Sequence, residues 1–378
     1  MTTSSKKIGL DLRFWRSGTG GIGRYSRNLL AELIKIDQTN QYTAVITPAD
    51  EPEFELTAPN LRSLVVDIPH FSYAEQLKLP KILNEQKFDL VHFANFNHPI
   101  LYRRPFVATI HDMIMHLYPG SFQRGSRLHR LAYNLTFADC KRARKVIVPS
   151  QATKNDLTRL LKFPPAKVVV TPEGSEKLFR LQTDREKLAV KERLKLPKKY
   201  LLFVSRWERY KGLPVLLAAH QTLTERYPDL GLVICGSPDS QNPEIAQLVS
   251  QAKAGNKNIV TPGWVSDEDL AAIYAAAAVY VHPSWYEGFG IMILEAFAAG
   301  TPVVTSNNSS LPEVVGDAGL LVDPNSSDEV AAAVDRILSE PELAKELVQK
   351  GQERLKHYSW AEMAKQTLAV YQEILESH

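Results

Sequence analysis

Ser284-Trp285-Tyr286-Glu287-Gly288-Phe289-Gly290-Ile291-Met292-Ile293-Leu294-Glu295-Ala296-Phe297-Ala298-Ala299-Gly300 directly follows the strand-like run Val279-Tyr280-Val281-His282. The order predicts a buried strand, a glycine-bearing turn and a short helix. Gly288 and Gly290 remove side chains where the helix begins, so backbone N–H groups there can approach a ligand closely. Those N–H groups and the positive end of the helix favour an anion or an electron-rich oxygen. Gly300 stands where a helix C-cap is expected, just before Pro302. Glu295 is out of place, because Ile291 to Leu294 and Ala296 to Ala299 make the helix apolar on every face. A buried carboxylate needs partners. They come from backbone, from a distant side chain or from ligand hydroxyls, and a Glu satisfied inside the protein is the plain alternative. Glu287 lies in the turn, where an exposed loop acid is the plain reading. Together the two carboxylates suit a polyol with an anion beside it.

Outward from this stretch, the second half of the chain repeats one pattern. Tyr200 to Ser205, Leu230 to Cys235, Ile259 to Thr261, Pro302 to Thr305 and Leu320 to Val322 read as further strands, with Leu213 to Arg226 as a helix. The first half does the same with Lys7 to Leu12, Tyr42 to Thr47, Leu61 to Val66, Asp89 to Phe93, Pro105 to Ile110, Lys145 to Val148 and Lys167 to Val170. Short apolar strands alternating with helices indicate α/β folding on parallel sheets. The length of 378 residues allows two such domains. Two sheets in tandem imply a cleft between them, and ligands bind beyond the carboxyl ends of strands.

Composition sets the outer limits. The chain is 44% hydrophobic and 23% charged, and its net charge of +3 is too small to argue for nucleic acid as a partner. Two cysteines, Cys140 and Cys235, argue against a disulfide framework and fit a reducing cytosol. The polar start Met1 to Lys7 leads into a strand instead of a signal core, and the longest apolar run, Leu270 to Val281, is too short to span a bilayer. A cytoplasmic location is expected, with peripheral contact at the inner face of the membrane as an addition.

Arg206-Trp207-Glu208-Arg209-Tyr210-Lys211-Gly212 places three cations and one acid at a strand end, before a helix. That is a plausible diphosphate clamp, since Arg offers a planar fork of donors and Lys a point charge, although a basic loop alone is often just solvated. His111-Asp112 ends another strand. A His there can bond a substrate hydroxyl or phosphate, or be satisfied at the sheet edge. Gly18-Thr19-Gly20-Gly21-Ile22-Gly23 is a literal GxGxxG before the helical pattern Arg24 to Ile36. The long loop before it and the absence of an acid at the end of the second strand argue for a glycine loop facing a phosphate, not a nicotinamide site. The segment 124–145 carries Arg124, Arg127, Arg130, Lys141, Arg142, Arg144 and Lys145 against Asp139, with Leu128, Leu131, Leu135 and Phe137 as apolar positions. It reads as a solvated helix face or as a contact for an anionic membrane or lipid-diphosphate acceptor. Asp267-Glu268-Asp269 is a DxD, but Ser266 before it and a helix after it make it a capped helix start and not a metal site.

Taken together, these residues resemble the retaining GT-B glycosyltransferases of family 4 (glycosyl transferases group 1). The likeness is carried by Gly20-Gly21-Ile22-Gly23-Arg24-Tyr25, His111-Asp112, Arg206 with Lys211-Gly212, and Glu287-Gly288-Phe289-Gly290 through Glu295. The N-terminal glycine signature is most similar to the bacterial mannosyltransferase branch that builds O-antigen and related polysaccharides. Met292 departs from the pattern, since the family usually has Pro there.

The resemblance implies two Rossmann-like doubly wound domains facing across a cleft. Residues 1–171 would form the acceptor side, 172–357 the donor side, and 358–378 a helix crossing back to the first domain. It implies that Arg206 and Lys211 hold the donor diphosphate and Glu295 the ribose hydroxyls. Glu287, with the amides of Phe289, Gly290 and Ile291, would position the transferred sugar. His111 would sit by its reacting face, and Gly20 and Gly21 would close over the phosphates. The expected reaction moves a sugar, mannose from GDP-mannose in the first instance, from a nucleotide-diphosphate donor to a glycan or lipid-linked acceptor, with no cofactor and no metal. The alternatives are a UDP-sugar donor with glucosyl or galactosyl transfer, a glycoside hydrolase using Glu287 and Glu295, and a transfer-dead sugar-nucleotide binder.

Overall fold

The computed structural model describes residues 5–16, 20–118 and 127–377, with the side chains of 127–130 left aside. The chain divides into two compact units, Met1–Met113 with Gly125–Glu173 and Ser359–His378, and Ile114–Arg124 with Gly174–Tyr358. This differs from the expected division at 171/172 in giving Ile114 to Tyr118 to the second unit, where the Tyr118 ring stacks 6.1 Å from that of Tyr210.

The first unit is built on β1 (Lys7–Asp11), β2 (Gln41–Ile46), β3 (Leu61–Val65), β4 (Leu90–Phe93), β5 (Phe106–Thr109), β6 (Lys145–Val148) and β7 (Val168–Val170). All pair in parallel in the order β3-β2-β1-β4-β5-β6-β7. Central strands such as β4 and β5 are buried along their whole length, which is why they read as continuous apolar runs without alternation. The helix Gly20–Ile36 buries Tyr25, Leu29, Leu30, Leu33 and Ile34, a stripe of period 3.6. It begins four residues before the expected start at Arg24. Gly20 and Gly21 therefore form the first turn of a helix instead of a free loop. Gly18 and Thr19 lie outside the described residues.

The helix Trp360–Glu376, N-capped by Ser359, belongs to this first unit and packs on Gly20–Ile36. Tyr371 from it reaches His92 Nδ1 at 2.5 Å, and Glu373 pairs with Lys145 at 2.7 Å.

The basic segment differs from its expected pattern. On the helix Arg127–Asp139, Phe137 is buried but Leu131 and Leu135 are exposed. Arg142 is spent on Asp139 at 2.6 Å and on the carbonyls of Ile100 and Tyr102. Arg124 and the side chains of Arg127 and Arg130 lie outside the described residues. No helix among the described residues is long and apolar enough to cross a membrane.

The second unit holds β8 (Lys199–Val204), β9 (Leu230–Cys235), β10 (Ile259–Gly263), β11 (Val279–His282), β12 (Val303–Ser306) and β13 (Gly319–Val322). Their order is β10-β9-β8-β11-β12-β13, again all parallel. Strand order reverses between β8 and β11, so the segments leaving those two strands flank a switch point, where open α/β sheets bind ligands. The acids of the DxD sit in the first turn of the helix Asp267–Ala276. Ser266 caps it by accepting from the Asp269 N–H, and Arg193 lies 2.5 Å from the Asp269 carboxylate.

Candidate active site

Both sequence stretches singled out in the second half leave the strands at that switch point. After β8 the chain makes a single 3-10 turn, Arg209–Lys211, and enters the helix Leu213–Arg226 through Gly212. After β11 it turns through Ser284 to Gly290 and enters the helix Ile291–Ala299, with Gly290 as N-cap at φ 107° and Gly300 as C-cap. Only glycine adopts the Gly290 conformation without strain. The two segments are stitched at one carbonyl: Tyr210 O accepts from the Trp285 N–H at 2.8 Å and from Ser284 Oγ at 3.2 Å. Ser306 Oγ donates in turn to the Ser284 carbonyl.

That stitching brings Lys211 to Glu287. Lys211 Nζ donates to both carboxylate oxygens, at 2.8 and 2.9 Å, and His282 Nε2 lies 2.8 Å from Oε1. All three residues are buried. The loop beyond β12 fixes the backbone: the Glu287 N–H donates to Ser309 Oγ at 2.9 Å. Ser310 Oγ donates to the carbonyls of Glu287 and Phe289 at 2.9 and 2.7 Å. Burial alone would raise the Glu287 carboxyl, but the Lys211 charge and His282 override it and hold the group down at about 2.

This pairing has a measurable consequence for stability. The folded carboxyl lies below its ordinary value of 4.5, so the unfolded chain binds more protons between the two. The contribution is complete above about pH 4.5 and lost as pH falls towards 2, on the order of 3 kcal/mol. Chemical denaturation at stepped pH is expected to show that loss in the wild type and to lack that part of it in Glu287→Gln. Parallel curves for the two proteins would contradict the pairing.

The other cations are placed differently. The Arg206 side chain is 68% exposed and pairs with buried Glu208 at 2.9 Å, while Arg209 lies 3.5 Å from Glu244. Each cation of the loop thus faces a carboxylate, with Arg206 and Arg209 turned to solvent and Lys211 buried. Glu295 is 2% exposed. Tyr274 and Tyr280 are raised well above the usual phenol range, by burial first and next by the charge of Glu295. Tyr280 also feels Glu287, so it lies within electrostatic reach of both acids.

In the first unit, His111 follows β5. Its Nε2 donates to Ala94 O at 2.9 Å, its Nδ1 lies 3.5 Å from Glu173, and its ring meets Tyr25 edge-on at 4.8 Å. Burial works against charging His111, yet Glu173 and the Ala94 carbonyl leave it raised. Beneath it runs a relay of Tyr25, Thr109, His92 and Tyr371, joined at 3.0, 2.8 and 2.5 Å. Gly20 is exposed, at φ 67°, with open space around it and around Gly21.

Sequence reasoning thus finds Lys211, Glu287, Gly290 and Glu295 in one unit, but misses four partners. Glu173 sits in Pro172-Glu173-Gly174, which reads only as a linker. His282 reads only as the last residue of a strand. Ser309 and Ser310 carry no signal, since their role depends on where β12 ends.

Residues 184–354 match the model for Glycosyl transferases group 1, and residues 19–175 the model for Glycosyltransferase Family 4. The chain is 30% identical over 370 residues to O-antigen chain mannosyltransferase B of Escherichia coli, covering 93% of this chain and 95% of that one. It is also 30% identical over 388 residues to alpha-maltose-1-phosphate synthase of Mycolicibacterium smegmatis, with coverage of 94% and 96%. Among solved structures, the fold is similar to that of sucrose-phosphate synthase from Thermosynechococcus elongatus. The TM-score is 0.79 at 24% identity, over 99% of this chain and 100% of that one.

Proposed function

This chain belongs to glycosyltransferase family 4, has the GT-B fold and is a hexosyltransferase that uses a nucleotide-sugar donor, and on that premise we propose that it moves mannose from GDP-mannose to a hydroxyl of a glycan or lipid-linked acceptor, with retained configuration. The observation that carries the chemistry is the buried Lys211 bonded to both oxygens of Glu287 at a switch point. Mannose is supported by the name of the Escherichia coli relative.

In this reading Lys211 and solvent-facing Arg206 take up the negative charge that develops on the leaving diphosphate, helped by the amides of Phe289, Gly290 and Ile291 at the helix start. Those charges and amides thereby do the work a metal would otherwise do, and the reading calls for no cofactor. Glu287 positions the transferred sugar through its hydroxyls, and Glu295 takes the ribose hydroxyls. His111 lies by the reacting face of the sugar, and Gly20 and Gly21 face the phosphates. The bond from the anomeric carbon to the diphosphate breaks as the acceptor oxygen bonds on the same face, and the acceptor proton passes to the leaving phosphate oxygen. A hydrolase reading is disfavoured, because it leaves Arg206 and buried Lys211 without a task, and because Glu287, held low by the Lys211 charge, is not placed to be its general acid.

A thermal-shift screen of sugar nucleotides tests the donor, since a ligand that binds the folded state alone stabilises it by about 2.7 kcal/mol at a hundred times its Kd. GDP-mannose is expected to give the largest rise in Tm. A larger rise with a UDP-sugar would move the assignment to glucosyl or galactosyl transfer, and no rise with any sugar nucleotide would contradict the donor site.

A further inference from the structure

The first unit has a switch point of its own. Its strand order reverses between β1 and β4, so residues 12–16 and 94–98, which leave those strands, flank a place where a ligand is expected. His111 leaves the next strand, β5, on the same edge of the sheet. These two segments carry a buried polar network. Arg13, with no side-chain exposure, holds both oxygens of Asp11 at 2.8 Å and Glu75 at 2.6 Å, and donates to Ile68 O at 3.1 Å. Asn97 Nδ2 donates to Glu75 at 3.1 Å, and Asn95 Nδ2 to Asn97 Oδ1 at 2.7 Å.

This network holds one residue in an unfavourable conformation. Phe71 has φ 54°, the left-handed region that an aromatic side chain rarely occupies. Its N–H is bonded to the second oxygen of Glu75 at 2.9 Å. The residue is 50% exposed. Such strain persists only where the surroundings over-determine it, and it gathers at ligand sites. The ring lies 5.8 Å from Phe96, which leans on Tyr133 at 4.9 Å and Phe137 at 5.3 Å. Phe14 stacks on His70 at 3.6 Å, and His70 is tied to Arg13 O and Asn97. An outward phenyl backed by an aromatic wall and fixed from below by charge offers a flat, rigid apolar face. The C–H face of a pyranose ring packs on such a surface.

We infer that Phe71, backed by Phe96 and held by the Arg13–Glu75 network, is the stacking platform for a pyranose ring of the acceptor. The inference rests on the glycosyl-transfer reading above and names the acceptor as a saccharide.

The test uses the full chain with methyl α-mannoside, methyl α-glucoside and an α-linked mannobiose as probes, and the variants Phe71→Ala, Phe71→Trp and Phe71→Gly. Phe71→Ala is expected to raise the acceptor KM about tenfold, the upper end of an aromatic contact, with the donor KM unmoved, and Phe71→Trp to restore it. Phe71→Gly relaxes the backbone and is expected to melt higher than wild type while losing the acceptor to the same degree, a split that a structural role would not give. Saturation-transfer NMR reads saccharide binding directly, so the platform is decided even if no sugar nucleotide is turned over. Hydrolysis of the donor by the wild type reports separately on the donor reading. Wild-type acceptor KM in Phe71→Ala and Phe71→Gly, a donor KM that moves with it, or no saturation transfer to any probe would overturn the platform.

Discussion

Replacing Lys211 with alanine is expected to lower turnover at saturating donor by about 10²- to 10³-fold, the range for losing one fixed donor to developing charge. The size follows from where the ammonium sits. It is buried, reaches both oxygens of Glu287, and stands in the segment that leaves β8, one strand from the glycine turn. An exposed lysine, by contrast, is screened and contributes little. Removing it also leaves Glu287 buried with only His282 beside it, which costs about 3–5 kcal/mol of stability. The two effects separate in the double variant Lys211→Met with Glu287→Gln, which is expected to regain most of the stability and none of the turnover. Steady-state kinetics with denaturation of each variant checks both. Turnover near the wild-type value in Lys211→Ala would remove the lysine from the chemistry.

Gly212→Ala is expected to be among the most damaging single-methyl changes in the second unit, on the order of 3–5 kcal/mol. Gly212 has φ 75°, and a Cβ there would lie 1.9 Å from the carbonyl oxygen of Pro283 and 2.7 Å from its carbon. Both atoms are backbone, so no side chain can swing away. Relief would require the loop after β8 to move off the loop after β11, and that movement breaks the Tyr210 carbonyl stitch and carries Lys211 away from Glu287. Loss of stability and of donor binding should therefore appear together. Gly21→Ala is the control: a Cβ there meets nothing within 4 Å, so it should leave stability unchanged or raise it slightly. A Gly212→Ala protein as stable as the control would mean that the two loops are not in contact.

Much of the fold was readable because parallel strands are buried on both faces. The bounds of β6, β9 and β11 coincide with the apolar runs that predict them, and the remaining strands differ by a residue or two at their ends. The helix Ile291–Ala299 and its two glycine caps were legible for a related reason, since only glycine fits both ends. The start of the helix Gly20–Ile36 was not, because consecutive glycines read as a loop when tertiary packing decides otherwise. Three acids show the limit. Glu287 and Glu295 stand out against glycine and an apolar helix, whereas Glu75, which holds Phe71, is a single acid in the five-residue helix Tyr73–Leu77, with nothing local to mark it. Its partner Arg13 lies 62 residues away, and no local pattern connects them. The partners of the basic segment were not legible, because a count of charges says nothing about them: Arg142 and Lys145 are used within the first unit.

The central claim is that Lys211, set against Glu287, holds the diphosphate of a sugar nucleotide. Calorimetric titration of GDP-mannose and of UDP-glucose into the wild type and into Lys211→Met tests it most directly. One donor is expected to bind the wild type and to bind the variant at least about tenfold more weakly, a loss of about 1.4 kcal/mol. Equal affinity in both proteins, with the variant folded, would contradict it.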